Sequence, residues 1–202
     1  MMKKTICLLF ILCCLPVSPA WAKKQASRAA RFESALLIGP SIDLISGSSS
    51  VNGVGVGLVA GAQGGLHFSE RFFGKLQFIS NRALIKSELP GLSYEIGGTF
   101  NSLSFIVDYA LNVDSSPFFV GLGVGYVSQT ESYSKINNAT VTDGRTSFDQ
   151  SGMNFVLEAG WNWNLNERFF VPLLADLYYY TTYISNGTPA AVLLTAGIGY
   201  RF

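Results

Sequence analysis

The chain has 202 residues, with 14 Lys or Arg against 13 Asp or Glu, and is 49% apolar but only 13% charged. That balance excludes the broad basic field that a nucleic-acid partner needs. After residue 22 no apolar run approaches the roughly 20 residues of a spanning helix, so apolar surface distributed as alternation is left to serve a membrane β-barrel.

Residues 1–22 read as an export signal. Lys3 and Lys4 form a short basic start, residues 6–15 an apolar core, and Ala20-Trp21-Ala22 a small-x-small cleavage site. Cleavage is expected after Ala22. Cys7, Cys13 and Cys14, the three cysteines, all lie inside this signal, so disulfides, thiolate metal sites and cysteine nucleophiles go with it. Removing Lys3 and Lys4 leaves 12 basic against 13 acidic residues, a net charge of −1. Residues 23–31 then form a basic periplasmic tail, and residues 32–202 a single barrel domain.

Eight strands follow from period-two alternation. The first, about residues 35–45, sets Leu36, Ile38, Ile42 and Leu44 against an opposite face carrying Asp43. The second, about 54–68, sets Val54, Val56, Leu58, Ala60, Ala62, Leu66 and Phe68 against Gly55, Gly57, Gly61, Gln63, Gly65 and His67. The third begins near Phe72, with Phe72, Leu76 and Phe78 opposed by Lys75 and Gln77. In the fourth, Leu103, Phe105, Val107, Tyr109 and Leu111 oppose Ser102, Ser104 and Asp108.

The fifth opposes Phe118, Val120, Leu122, Val124 and Tyr126 to Gly121, Gly123 and Gly125. The sixth opposes Phe155, Leu157, Ala159, Trp161 and Trp163 to Asn154, Glu158, Gly160 and Asn162. The seventh sends Phe169, Val171, Leu173, Ala175, Leu177 and Tyr179 outward with Asp176 and Tyr178 inward. Pro172 interrupts it, since proline cannot donate to a ladder. The eighth places Val192, Leu194, Ala196, Ile198, Tyr200 and Phe202 on the lipid face and Leu193, Thr195, Gly197, Gly199 and Arg201 inward. None of these outward sets holds a charge, which would cost about 2–4 kcal/mol at the membrane midplane.

The expected fold is therefore all-β: a transmembrane, antiparallel, up-and-down barrel of eight strands. Short turns at residues 69–71, 112–117 and 164–167 are assigned to the periplasm, and the long polar stretch at 131–150 to the outside. Phe68, Phe72, Tyr109, Phe118, Trp161, Trp163, Phe169, Tyr200 and Phe202 would form the periplasmic aromatic girdle.

This strand rhythm, the Phe118–Tyr126 segment with its inward glycines, and the ending Gly197-x-Gly-Tyr-x-Phe202 resemble the small outer-membrane barrels of the OmpA transmembrane-domain and OmpX type, within the broad outer-membrane β-barrel domain family. The resemblance implies a place in the bacterial outer membrane, contact with its lipid and lipopolysaccharide, and delivery by periplasmic chaperones and the barrel assembly machinery. Gly197, Tyr200 and Phe202 would be the assembly signal. A cell-wall-binding domain such as some relatives carry is not seen.

Candidate functional residues fall into two groups. Asp43, Lys75, Asp108, Glu158, Asp176, Arg168 and Arg201 are expected to form a polar network in the lumen, with Lys75 and Asp108 as cross-strand partners, because buried charges need partners. Inward glycines are expected to leave space beside Phe73, Phe170, Tyr178 and Tyr180. Tyr133, Lys135, Arg145 and Phe148 are the candidate surface-loop contacts.

No catalytic, cofactor or metal residue is assigned. His67-Phe68-Ser69 is superficially similar to the His-x-Ser motif of outer-membrane lipid A deacylases, but it falls at a periplasmic turn and lacks an assignable carboxylate. Gly53-x-Gly55-x-Gly57 has no following helix, so lumen packing accounts for it better than a phosphate loop. The reading is a monomeric scaffold or surface-interaction protein with an unidentified extracellular ligand. A narrow small-solute channel is the alternative, and an enzyme the remote one.

Overall fold

A computed structural model of the chain describes residues 31–47, 53–89, 92–111, 118–136, 139–140, 147–182 and 187–202. The export signal, nearly all of the basic tail, the turn at 112–117 and Arg145 lie outside the described residues. Eight long strands run Phe32–Gly47 (β1), Gly53–His67 (β2), Phe72–Leu89 (β3), Leu92–Ala110 (β4), Phe118–Ile136 (β5), Ser147–Asn164 (β6), Phe169–Tyr180 (β7) and Gly187–Arg201 (β8). Each pairs antiparallel with its neighbours in sequence. The first and last strands also pair, so the sheet closes on itself and has no free edge between them.

The stagger of this barrel can be read from the pairing. Starting at Phe118 in β5, direct partners lead through Trp161, Leu173 and Ala196 to Ile38, then through Ala60, Ser80 and Asn101 back to β5 at Ser128, ten residues further along. With ~3.3 Å per residue and ~4.8 Å between strands, that stagger tilts the strands about 40°. Each residue then rises ~2.5 Å along the barrel axis, so Phe118 to Ser128 spans about 25 Å, the height of the apolar band a bilayer requires.

Alternation sorts the two faces as expected. Outward Leu36, Ile38, Leu58 and Leu122 are 65–71% exposed, whereas inward Val59, Ile79, Ile106 and Leu193 are at most 1% exposed. At the end carrying both termini, the outward aromatics meet as cross-strand pairs: Phe72 with Tyr109 at 5.2 Å, Phe118 with Trp161 at 5.5 Å, and Phe169 with Tyr200 at 5.1 Å. Phe32 and Tyr200 both touch Phe202, at 5.3 and 4.9 Å, and the Phe202 N–H donates to Phe32 O, so the terminal ring is held at the seam.

Two features differ from the sequence reading. β3 to β6 have 18 or 19 residues against 12 to 16 in the other four, so the wall is taller on one side. Much of the expected loop at 131–150 is consequently ladder: Glu131 pairs Phe148 and Ser132 pairs Ser147, and Ala139–Thr140 folds back on Lys135 and Ile136. Proline marks two breaks beside β8. The β7–β8 ladder omits Val171 and Pro172, and the β1–β8 ladder omits Gly39 and Pro40, where a missing N–H leaves no bond to make.

Candidate functional site

The lumen is the candidate site, and its centre is Lys75. Its odd position in β3 turns it inward, where it is 1% exposed. Nζ lies 3.0 Å from Asp108 Oδ2 and also pairs with Glu158 Oε1. Asp108 is a diagonal neighbour on β4, since Lys75 is opposite Ile106 and Asp108 opposite Phe73. Glu158 stands on β6, 83 residues away, so the lysine ties opposite walls of the barrel together. The Nζ group also lies 5.2 Å from the Phe119 ring centroid.

Glu158 is the direct partner of Asp176 on β7. Asp176 Oδ2 accepts from Gln77 Nε2 at 3.5 Å, and Gln77 Oε1 accepts from the Tyr178 hydroxyl at 2.7 Å. One ammonium, in contact with two of them, thus stands among three carboxyls, and among the described residues no hydrogen bond engages the buried Asp108 Oδ1, Glu158 Oε2 or Asp176 Oδ1. Charges this deep cost several kcal/mol each to desolvate, so the cluster fixes which walls face each other more than it adds stability.

Nearer the opposite end, Asp43 accepts from Asn81 Nδ2 at 2.7 Å and from Ser41 Oγ at 2.7 Å. Between the polar groups sits an aromatic stack: Phe100 on Tyr180 at 5.0 Å, and Tyr180 on Tyr178 at 5.8 Å. The space expected beside the inward glycines is filled by rings and branched side chains from neighbouring strands. A Cβ on Gly160 would lie 2.3 Å from Phe119 Cζ, one on Gly199 2.2 Å from Phe170 Cζ, and one on Gly123 2.6 Å from an Ile106 carbon.

The floor at the terminal end is built on Glu33. Its Oε1 accepts from Arg201 Nε at 2.7 Å and lies 3.2 Å from His67 Nε2. Arg201 also caps the Phe170 ring at 4.5 Å, and His67 packs on Phe73 at 4.7 Å. Alternation that starts the first strand near Ala35 leaves Glu33 out of the lumen set, whereas β1 begins at Phe32. Glu33 is the carboxylate beside the imidazole that the sequence reading lacked. Ser69 is engaged differently: its Oγ accepts the backbone N–H groups of Arg71 and Phe72 at 3.2 and 3.1 Å, closing the β2–β3 turn.

Of the seven expected lumen charges, Asp43, Lys75, Asp108, Glu158, Asp176 and Arg201 are buried inside the barrel. Arg168 is not: β7 begins at Phe169, so Arg168 sits exposed in the turn before it, with Nη1 3.4 Å from the Tyr200 hydroxyl. Gly197 packs against backbone, where a Cβ would fall 1.9 Å from Leu36 O. Tyr133 and Lys135 belong to β5 and Phe148 to β6. Among the described residues no group of three or more His, Cys, Asp or Glu side chains is arranged to hold a metal ion.

The family described as "Outer membrane protein beta-barrel domain" matches residues 5–202. Among solved structures, the attachment invasion locus protein Ail of Yersinia pestis is similar at 15% identity, over 84% of this chain and 98% of that one, with a TM-score of 0.48. Neisserial surface protein A aligns at 14% identity over 87% and 100%, TM-score 0.49, and OprG of Pseudomonas aeruginosa at 12% over 89% and 99%, TM-score 0.48. No curated protein matches the chain in sequence.

Proposed function

Because the chain belongs to the outer membrane protein β-barrel domain family, and so is a bacterial outer-membrane barrel, we propose that it is a rigid scaffold that presents its long-strand end to partners outside the cell. The observation that carries this reading is the filled lumen. Lys75, Gln77, Ile79, Phe100, Phe170, Tyr178 and Tyr180 are all under 2% exposed, and an eight-stranded barrel is just wide enough for such side chains to fill. The taller wall of β3 to β6 supplies the platform, with Tyr133, Lys135, Arg145 and Phe148 as its candidate contacts.

In this reading residues 1–22 are removed after Ala22, residues 23–31 are a periplasmic tail, and the end bearing the termini faces the periplasm. Chaperones and the barrel assembly machinery deliver the chain, using Gly197, Tyr200 and Phe202, and it works as a monomer. Catalysis is not part of it: Glu33 gives His67 a carboxylate partner, but Ser69 Oγ is engaged by the backbone N–H groups of its own turn.

A narrow channel is the second reading, favoured by the unpartnered oxygens of Asp108, Glu158 and Asp176 along the lumen. Conductance of the refolded 23–202 chain in a planar bilayer separates the two. A folded, heat-modifiable and electrically silent barrel is the expected result. Reproducible stepwise openings would overturn the filled-lumen reading. Loss of surface binding on deleting residues 133–148 would locate the platform.

A further inference from the structure

Toward the end of the lumen away from the termini, three polar side chains close a ring. Asp43 and Ser41 come from β1 and Asn81 from β3, and the strand between them presents only glycine there: Gly55 is the direct partner of Asp43, and Gly57 of Ser41. A Cβ on Gly57 would lie 2.5 Å from Ser41 Oγ, so the Gly53-x-Gly55-x-Gly57 run clears the wall for the ring. All three side chains are at most 2% exposed. Ile38 stands half-way round the stagger that starts at Phe118. Asp43, five residues on, therefore lies about 25 Å above the Phe118 level, at the edge of the apolar band.

The ring has three contacts. Ser41 Oγ lies 2.7 Å from Asp43 Oδ2 and 2.8 Å from Asn81 Oδ1, and Asn81 Nδ2 lies 2.7 Å from Asp43 Oδ1. Each is of hydrogen-bond length, and each needs a hydrogen of its own. The Ser41 hydroxyl carries one, and the Asn81 amide gives a hydrogen to one contact of the ring whichever way round it stands. An ionised carboxylate carries none, which leaves two hydrogens for three contacts. The third can come only from the carboxyl. The surroundings agree: among the described residues no Lys, Arg or His contacts Asp43, and a buried charge without a counter-charge is far costlier than a hydrogen-bonded neutral group. The titratable groups on its side of the lumen are Tyr180 and, deeper on the same strand, Tyr178 and Asp176, none of them a cation. From β2, β3 and β8 it meets Gly55, Asn81 and Ala191.

We infer that Asp43 is a proton site built into the barrel. It stands in the ring as a neutral carboxylic acid, donating from one oxygen and accepting at the other, and so latches β1 to β3 across the glycines of β2. A free carboxyl has given up its proton at neutral pH, so the folded barrel binds one proton more here than the unfolded chain. The stability that the ring contributes is therefore present in acid and lost as the pH rises. Without the proton, an unpaired carboxylate is left inside the lumen and one of the three contacts has no hydrogen. The ring is thus an alkali-sensitive latch, set by side chains inside the barrel and independent of what the loops bind.

The test is equilibrium unfolding of the refolded 23–202 chain from phosphatidylcholine vesicles over a pH series from acid to alkaline. It compares the wild type with Asp43→Asn, whose amide carries the missing hydrogen permanently. As the pH rises, the unfolding constant of the wild type should climb by up to about tenfold per pH unit relative to that of the variant. The other lumen carboxyls are common to both proteins and cancel in the ratio. In infrared difference spectra at neutral pH, wild type minus variant should show the carbonyl band of a protonated carboxyl. Ser41→Ala keeps the carboxyl but removes one of its ring partners, and should shift that band against the wild type, which covers an Asp43→Asn chain that fails to fold. A constant ratio across the pH series, a carboxylate band in place of the carboxyl one, or a band unmoved by Ser41→Ala would overturn the assignment.

Discussion

Glu33 and Arg201 face each other as direct partners across the seam where the first strand meets the last, with Arg201 Nε 2.7 Å from Glu33 Oε1. The pair closes the barrel from inside while Phe32 and Phe202 close it from the lipid side. Both charges are nearly buried, at 6% and 8% side-chain exposure. Glu33→Ala leaves the guanidinium without its carboxylate, and should cost about 3 kcal/mol. His67→Gln removes a partner that is 35% exposed, and should cost less than about 1 kcal/mol. Equilibrium unfolding from phosphatidylcholine vesicles reads both; equal costs would mean that the seam is not held by this pair.

Lys75 holds Asp108 on β4 and Glu158 on β6 at once, with only Gly121 of β5 between them in the row. Its replacement by Met strands the carboxyls in the interior, and a loss of about 3–5 kcal/mol is expected. The triple change Lys75→Met, Asp108→Asn and Glu158→Gln removes the ammonium together with the two carboxylates it touches, leaving Asp176 to Gln77, and should recover at least about 2 kcal/mol of that loss. A triple variant no more stable than the single one would show that shape, not charge, sets the cost.

The outward faces were legible in the sequence because lipid penalises polar errors there, so Leu36, Ile38, Val120, Leu122 and their equivalents recur through the band. The strand ends were not. Beyond the bilayer both faces are polar, as at Ser128, Gln129 and Thr130, so alternation fades while the ladder continues. In the lumen the type of contact could be read but not the partner. Alternation matches Lys75 to the adjacent strand, whereas its reach to Glu158 depends on the registers of the three ladders from β3 to β6, which no local pattern carries. Arg168 was misplaced by a single residue, enough to move it from the lumen to a turn.

Glycine and aromatic positions should prove interdependent. The Gly160 Cα sits under the Phe119 ring, with an added Cβ only 2.3 Å from Cζ. Gly160→Ala should therefore destabilise by about 1–3 kcal/mol through overpacking. Combining it with Phe119→Leu should cost less than the sum of the two single changes by about 1 kcal/mol or more. Additive costs in a double-mutant cycle would mean that the ring already has somewhere to go.

Depth in the membrane should decide the cost of a charge on one and the same strand face. Leu157 and Ser151 both point outward from β6, three pleats apart. By the axial rise of ~2.5 Å per residue, Leu157 lies about 13 Å above the Phe118 level, near the midplane, and Ser151 about 28 Å above it, beyond the apolar band. Leu157→Arg should cost about 2–4 kcal/mol and Ser151→Arg at most about 1 kcal/mol. Guanidinium unfolding from vesicles measures the pair. Similar costs at the two positions would displace the band from its present bounds.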